Sequence, residues 1–201
     1  MTLSDPIIVI LAGGQSVRMG GEDKALKPLA GRRMIDWVVA GLRPQAGTLL
    51  IAGDQDRGTG LRCVPDAPGA PPGPAAGLYS VSQWLFEKEP SAGGFITVPV
   101  DTPFLPPDLA PRLRQPGGST IASDGERWHP TVAYWEQGPL QKLWPMAPSG
   151  KAAALHALAR QCGARPVIFP AGSLLNINSP DGLLAAEKAL AAGEIEPMGG
   201  V

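Results

Sequence analysis

Cysteine, histidine and aromatic side chains are scarce in this sequence of 201 residues, which holds two cysteines, two histidines and 5% aromatic residues. Cys63 and Cys162 lie in unlike contexts, and neither belongs to a CxxC pair or has a histidine beside it. We therefore expect both to be reduced thiols in a cytoplasmic protein. His129 and His156 are separated along the chain and also differ in context, which argues against a metal site built on the pair.

The sequence also lacks an excess of either charge and any long hydrophobic run. Lys and Arg number 17 against 18 Asp and Glu, and no basic run reaches five residues. The first apolar stretch covers only Ile7 to Ala12, so neither a signal peptide nor an 18-residue membrane span can be drawn. We expect no nucleic-acid partner and no membrane association. A hydrophobic fraction of 44% and a mean hydropathy of +0.02 are typical of a folded chain rather than a disordered one.

Glycine and proline are abundant instead, at 26 and 23 residues, and they separate short elements in which strands and helices alternate. The apolar pattern predicts strands at 7–11, 48–52, 61–64, 95–100, 119–123, 131–135 and 167–169, with the sixth as a candidate for antiparallel pairing. It predicts helices at 34–42, 75–86, 109–113, 140–144, 152–158 and 182–192. This alternation indicates an α/β fold: a doubly wound, Rossmann-like, mostly parallel sheet flanked by helices. The length favours one domain over 1–192, with halves at about 1–110 and about 111–192 and a flexible tail at 193–201.

The stretch LAGGQSVRMGGEDK at 11–24 directly follows the first buried strand, where doubly wound folds bind ligands. Adjacent Gly13 and Gly14 let backbone N–H groups approach an anion, and Arg18 and Lys24 supply cationic contacts to phosphate. The stretch is neither a Walker A loop nor a GxGxxG fingerprint. Taken alone, it would more often be a glycine-rich turn with solvated cations.

Two carboxylates strengthen the interpretation of this stretch as a phosphate site. Asp101 follows the strand at 95–100 and should emerge at the same sheet edge, where it can hold Mg²⁺ against phosphate oxygens. Asp66 lies two residues after another strand and is the second candidate at this edge. A turn or helix-cap aspartate is the alternative interpretation of Asp66.

With strand, loop and carboxylate together, the sequence resembles the molybdenum cofactor guanylyltransferases, the MobA family of nucleotidyltransferases, from Ile8 to about Leu190. The residues that carry the resemblance are LAGGQSVRMGGEDKAL at 11–26, Pro65-Asp66, GPAAG at 73–77, VPVDTPFLPPDL at 98–109, His129-Pro130-Thr131 and Asn176-Ile177-Asn178-Ser179-Pro180-Asp181. One departure is Ala52, which stands where the family often has asparagine, with Asp54 nearby as a possible substitute.

The resemblance implies that GMP is transferred from GTP to the terminal phosphate of molybdopterin, forming the guanine dinucleotide cofactor and pyrophosphate. It implies Mg²⁺ as cofactor, GTP and molybdopterin as substrates, and molybdoenzyme apoproteins or other cofactor-synthesis proteins as possible partners. The residues implied on the nucleotide side are Leu11, Ala12, Gly13, Gly14, Arg18, Lys24, Asp66 and Asp101. Arg18, Lys24 and Asp101 are the catalytic candidates among them, with Asp101 on the metal, and His129, Asn176 and Asn178 belong to the pterin side.

Two other functions fit the same residues. One is a cytidylyltransferase of the same fold, acting on molybdopterin or on a sugar or polyol phosphate. Such proteins more often read LAAG where this chain has LAGG, which favours guanine. The other is a carrier of nucleotide and pterin without catalysis, against which the presence of Arg18, Lys24 and Asp101 argues.

Overall fold

A computed structural model of the chain describes residues 5–12, 23–144 and 155–195. Within these residues the strands are β1 (Ile7–Leu11), β2 (Pro28–Leu29), β3 (Arg32–Arg33), β4 (Thr48–Ala52), β5 (Arg62–Val64), β6 (Gly94–Pro99), β7 (Thr120–Ser123), β8 (Trp128–Glu136) and β9 (Arg165–Ile168). The helices are α1 (Met34–Leu42), α2 (Pro74–Lys88), α3 (Leu109–Leu113), α4 (Gln137–Leu143), α5 (Leu155–Gln161) and α6 (Pro180–Ala191). No helix in these residues is long and apolar enough to cross a membrane.

Seven strands form one sheet in the order β5-β4-β1-β6-β8-β7-β9, and β2 pairs with β3 in a separate hairpin. The pairs β5·β4, β4·β1, β1·β6 and β7·β9 are parallel, whereas β8 runs antiparallel to both of its neighbours. The doubly wound, mostly parallel fold is thereby confirmed, as is the antiparallel direction considered for the sixth predicted strand.

Two apolar layers cover the sheet because alternate residues of each strand point to opposite faces. On one face Ile8 and Ile10 of β1 pack in the same cluster as Ile35 and Val38 of α1. On the other face Val9 belongs to the cluster that contains the buried residues of α2, α4 and α5. Helix α6 instead packs against the β2–β3 hairpin, in a smaller cluster that includes Ile177.

Strand β8 starts earlier than the pattern indicates, at Trp128 rather than Thr131. The pairing with β7 shifts register at this point: Ile121 lies opposite Ala133, whereas Ala122 lies opposite His129. Pro130, Thr131 and Val132 fall between these two pairs. Proline has no N–H to donate to the strand ladder, so within a sheet it is confined to bulges or edges. The irregularity in β8 brings Thr131 to the lining of a cleft at the edge of the sheet.

Candidate active site

The carboxyl ends of β1, β4 and β6 meet at one edge of the sheet. The amide of Ala12 donates to the carbonyl of Ala52 at 3.4 Å, and the amide of Val100 donates to the carbonyl of Leu11 at 3.2 Å. These bonds hold the residues that follow three parallel strands side by side. Asp101 therefore leaves the sheet beside the end of β1, as the sequence predicts.

Lys24 joins two distant parts of the chain at this edge. Its Nζ donates to Asp101 Oδ2 at 2.9 Å and to Asn178 Oδ1 at 2.6 Å. The Lys24 and Asp101 side chains are only 13% and 19% exposed, so water screens their attraction less than it would at an open surface. The structure thus brings together three residues predicted from separate motifs.

The Asn176–Asn178 segment is anchored by the residue between its two asparagines. Ile177 is fully buried, and its amide donates to the carbonyl of Asp101 at 2.8 Å. Asn176 and Asn178 are exposed on either side of it, and both line the cleft. The alternation of polar and apolar residues in this segment is what turns both amides toward the site.

Asp101 offers a second oxygen to a ligand. Its Oδ1 is buried and has no hydrogen-bond partner among the described residues, while Oδ2 accepts from Lys24. A buried carboxylate oxygen without a partner is costly unless a cation or a donor meets it, so Oδ1 fits a hard divalent cation. The described residues contain no group of three or more His, Cys, Asp or Glu that could hold a metal.

The cleft above this edge has a volume of about 880 Å³. Leu11, Ala12 and Ala52 form its floor at the strand ends, and the glycine- and proline-rich segment 66–74 supplies much of its wall. Asp66 lies in this wall and is exposed. The next amide, of Ala67, donates to the buried Ser80 Oγ at 2.8 Å, which fixes the wall to α2.

Helix α2 approaches the floor closely at Gly77, another residue of the cleft lining. A Cβ at this position would lie 2.9 Å from the Cβ of Ala52. Glycine therefore lets the helix pack directly over β4. The small residues of GPAAG thus have a structural reason in addition to the family pattern.

Not every predicted residue reaches the cleft. His129 Nε2 hydrogen-bonds to Asp124 Oδ2 at 2.9 Å within the β7–β8 hairpin, and within the described chain Thr131 rather than His129 lines the cleft. Asp54 is exposed in the loop after β4 and also lies off the lining, while Ala52 is part of it. Gly13, Gly14 and Arg18 lie outside the described residues.

Sequence analysis missed two residues that support the site, Asp23 and Arg57. Arg57 Nε donates to Asp23 Oδ2 at 2.6 Å across 34 positions of sequence. Asp23 caps a short helical turn, since its Oδ1 accepts from the amide of Ala25 at 3.0 Å. Aspartate is one of the residue types favoured at this position, which is the sequence signal that could have identified it. No pattern in the sequence identifies the partner of Arg57, since the contact depends on how the loop after β4 folds back.

Comparison with known proteins gives a family and a set of relatives. The family described as MobA-like NTP transferase domain matches residues 8–168. A molybdenum cofactor guanylyltransferase from Cereibacter sphaeroides is 38% identical over 188 residues, which cover 90% of this chain and 95% of the relative. A protein of the same name from Rhizobium meliloti is 39% identical over 206 residues, which cover 90% of this chain and 90% of the relative.

Solved structures show the same fold at lower identity. Molybdopterin-guanine dinucleotide biosynthesis protein A from Archaeoglobus fulgidus aligns with a TM-score of 0.70 and 19% identity, over 92% of this chain and 99% of its own. The 2-C-methyl-D-erythritol 4-phosphate cytidylyltransferase from Thermus thermophilus aligns with a TM-score of 0.62 and 20% identity, over 92% and 98% of the two chains. The fold is therefore shared by proteins whose names specify different nucleotides.

Proposed function

The chain belongs to the family of MobA-like NTP transferase domains and is a nucleotidyltransferase, and we propose that it transfers GMP from GTP to the terminal phosphate of molybdopterin. The products are molybdopterin guanine dinucleotide and pyrophosphate. The observation that carries the proposal is the contact of Lys24 with both Asp101 and Asn178 at the mouth of the parallel strands. It links a cation and a carboxylate suited to a triphosphate with a segment matched to the pterin side.

The reaction requires little covalent chemistry from the protein. An oxygen of the molybdopterin phosphate attacks the α-phosphorus of GTP, and the bond from that phosphorus to the bridging oxygen of the β-phosphate breaks. The electron pair of this bond leaves with pyrophosphate, which is where negative charge accumulates. Catalysis then consists of positioning and charge neutralisation, as in other phosphoryl transfers.

Lys24 and Asp101 are suited to these two tasks. The ammonium group of Lys24 meets phosphate oxygens and stabilises the departing pyrophosphate, and the resemblance gives Arg18 the same role. Asp101 would hold Mg²⁺ through the buried Oδ1, which has no hydrogen-bond partner in the described part of the chain. When bound, Mg²⁺ neutralises phosphate charge and orients the reacting groups. Asp101 also fixes Lys24 through Oδ2, so that one carboxylate orients both cations.

The two substrates occupy opposite sides of the cleft in this proposal. Leu11 and Ala12 at the end of β1 line the guanine and ribose side, to which the resemblance also assigns Gly13 and Gly14, and Asp66 contacts the nucleotide from the wall. Asn176 and Asn178 receive the pterin phosphate, next to Lys24. His129 is assigned to the pterin side by the resemblance alone, and its bond to Asp124 gives it a structural role in the hairpin. The proposal includes the cytoplasm as the location of the enzyme, and apoproteins or cofactor-synthesis proteins as recipients of the product.

The proposed substrate is tested by measuring thermal unfolding with GTP, CTP, ATP and UTP, each with Mg²⁺. A ligand that binds only the native state raises the unfolding temperature, by an amount that grows with its concentration relative to its Kd. We expect GTP to give the largest shift and removal of Mg²⁺ to reduce it. A larger shift with CTP would favour the cytidylyltransferase alternative.

A further inference from the structure

The loop between β4 and β5 holds a guanidinium group against the floor of the active site. Arg57 Nε donates to Asp23 Oδ2 at 2.6 Å, and its Nη2 donates to the carbonyl of Ala12 at 3.0 Å. The Arg57 side chain is only 8% exposed, although it lies in a surface loop. Arg57 is not part of the cleft lining, so it meets these groups from behind the site.

The backbone of the loop is arranged to direct this side chain inward. Asp56 accepts from the amides of Gly58 and Gly60, each at 3.1 Å, and Arg33 Nη1 donates to the carbonyl of Arg57 at 2.6 Å. Arg57 itself has a φ of +53°, a left-handed conformation that is uncommon for residues with a Cβ. Such a conformation persists only where the surroundings hold it in place, and it is found more often at functional sites.

The groups that Arg57 holds lead directly to Lys24. Asp23 accepts from Arg57 on one oxygen and caps the short 3-10 turn Lys24–Leu26 with the other, through the amide of Ala25. Lys24 is the first residue of that turn and donates to Asp101. Ala12 follows β1 and forms part of the cleft floor. The guanidinium of Arg57 therefore links the turn that carries Lys24 to the strand end on which the nucleotide would rest.

We propose that Arg57 is a positioning residue for nucleotidyl transfer: by holding the Ala12 carbonyl and the Asp23 carboxylate together, it sets Lys24 against the β1 side of the cleft. The inference rests on the proposed function. Arginine suits this role because its planar fork carries several donors in fixed directions, whereas lysine has one flexible point of contact. Misplacement of Lys24 should weaken its contact with phosphates, whereas the Asn176–Asn178 segment keeps a separate anchor, the bond from the Ile177 amide to the carbonyl of Asp101.

The test compares Arg57→Gln with Arg62→Gln. Arg62 is exposed at the other end of the same loop, where its guanidinium lies over the Trp84 ring, and of the two arginines Arg57 is the one that reaches Ala12 and Asp23. We expect Arg57→Gln to raise the Kd and the KM for GTP by roughly 10- to 100-fold, the effect of a small misplacement in an active site. The KM for molybdopterin should stay within about threefold of wild type, and Arg62→Gln should change the GTP constants by no more than about threefold.

The Asp23→Asn variant tests whether Arg57 acts through Asp23. We expect it to weaken GTP binding in the same direction as Arg57→Gln, and the double variant to be weaker by much less than the product of the two effects, because the residues share one interaction. Additive losses would contradict the proposal. So would an Arg57→Gln variant that binds GTP as Arg62→Gln does.

Two further results separate the possible failures. If Arg57→Gln does not fold, the Arg57→Lys variant decides the question, because lysine keeps the charge without the planar fork. We expect its Kd for GTP to lie between the Kd of wild type and the Kd of Arg57→Ala. A Kd equal to that of wild type would overturn the inference. A wild-type chain that binds none of the four nucleoside triphosphates overturns the proposed function and the inference together. A wild-type chain that binds GTP, with an Arg57→Gln variant that binds it equally well, overturns the inference alone.

Discussion

The Lys24 side chain connects two functional segments of the site. Its ammonium group donates to Asp101 after β6 and to Asn178 before α6, and Asp23 beside it is held by Arg57. An ammonium group has three donors, which allows it to bridge acceptors that come from separate elements. Loss of this side chain should affect the phosphates of the substrate more than its base.

Replacement of Lys24 by alanine should therefore weaken GTP binding far more than GMP binding. A hydrogen bond to a charged group contributes about 1.5–3 kcal/mol, so we expect the Kd for GTP to rise roughly 10- to 100-fold. The Kd for GMP should change little, because GMP lacks the distal phosphates. Titration calorimetry measures both constants, and Lys142→Ala, which changes an exposed lysine of α4, is the control. Equal losses for GTP and GMP would place Lys24 on the base or ribose.

Asp101→Asn removes the negative charge that faces Lys24 and that the proposed metal would meet, with almost no change in shape. We expect the variant to fold and its transfer rate to fall by roughly 10²- to 10³-fold, the usual cost of deleting one preorganised electrostatic contact. Asp108→Asn is a matched control in the same loop, because Asp108 is 54% exposed and pairs only with Arg112 among the described side chains. Transfer by Asp101→Asn at limiting Mg²⁺ with nearly wild-type rates would contradict the metal assignment.

At the scale of secondary structure elements, α2 determines where the wall of the cleft lies. Ser80 is buried in this helix, accepts from the amide of Ala67 at 2.8 Å and donates to the carbonyl of Ala76 at 2.8 Å. Asp66 precedes the amide that Ser80 holds. The helix thus fixes the position of a carboxylate that it does not itself carry.

Ser80→Ala should release the wall and raise the KM for GTP severalfold, while kcat changes less. The variant should also lose about 1–3 kcal/mol of unfolding free energy, because the amide of Ala67 loses its partner. Ser82→Ala is the control: Ser82 is buried in the same helix but bonds to Gln137 and Gln141 of α4, away from the cleft. We expect this control to lose stability without a change in the KM for GTP. A similar change in KM for both variants would show that the effect is general loosening of α2.

Sequence patterns predict best the elements that are long or fully apolar. The bounds expected for β1, α1, β4 and α3 agree with the structure, since a continuous aliphatic run or a helical stripe marks each of them. The β2–β3 hairpin was missed, because two-residue strands have no periodicity. Its turn places Ala30 at a φ of +49°, where the usual signal would be asparagine or glycine. The amide of Ala30 donates to Glu187 of α6, a tertiary contact that local patterns do not contain.

The site was predictable in the same uneven way. Asp101 could be predicted as a site residue because the carboxyl ends of parallel strands face the ligand in such folds. Asn178 lies 154 positions from its partner Lys24, and only the family resemblance predicted it as a site residue. Arg57 was missed by both, because its contact to Asp23 arises from loop geometry. Pattern analysis therefore identifies the residues that meet the ligand more readily than the residues that hold them.

The β7–β8 hairpin gives a prediction about acid stability. Hydrogen bonds from the amide of Arg127 and from the ring of His129 hold the pKa of Asp124 well below its usual value. The contribution of such a group is fully present above its unfolded pKa of about 3.9 and is lost as the pH falls toward the folded pKa. Asp124→Asn should lower the unfolding free energy at pH 7 and make its decline below about pH 4 less steep.

Urea denaturation at a series of pH values tests this prediction. Glu126→Gln, which removes an exposed carboxylate from the same turn, should leave the pH profile close to that of wild type. A profile for Asp124→Asn identical to the wild-type profile would mean that other carboxylates control the acid transition.

At the scale of the whole molecule, the sheet order places the cleft on both sides of β6. The parallel strands β5, β4 and β1 lie on one side of β6, and β8, β7 and β9 lie on the other. The cleft is lined from both sides, by Leu11 and Ala52 on the first and by Thr131 on the second, with Asn176 and Asn178 entering from the segment before α6. This arrangement suits a reaction that joins a nucleotide to a second substrate.

In the proposed complex, base choice depends on backbone groups, because Leu11 and Ala12 carry no long polar side chain. Guanine presents an acceptor at O6 beside donors at N1 and N2, and the carbonyls of Leu11 and Ala12, which already accept from Val100 and Arg57, can each accept one further bond. Adenine and cytosine present a different order of donors and acceptors, which would leave buried backbone groups unpaired. Each unpaired group costs about 1–3 kcal/mol, which corresponds to roughly 5- to 150-fold in kcat/KM.

Guanylyl transfer to molybdopterin is tested by a pyrophosphate-release assay. The protein is mixed with Mg²⁺, molybdopterin and one nucleoside triphosphate at a time. We expect release with GTP that requires molybdopterin, with a kcat/KM for GTP at least about tenfold above the values for CTP, ATP and UTP. Release without molybdopterin, no release with GTP, or a kcat/KM for CTP or ATP within about threefold of that for GTP would contradict guanylyl transfer to molybdopterin.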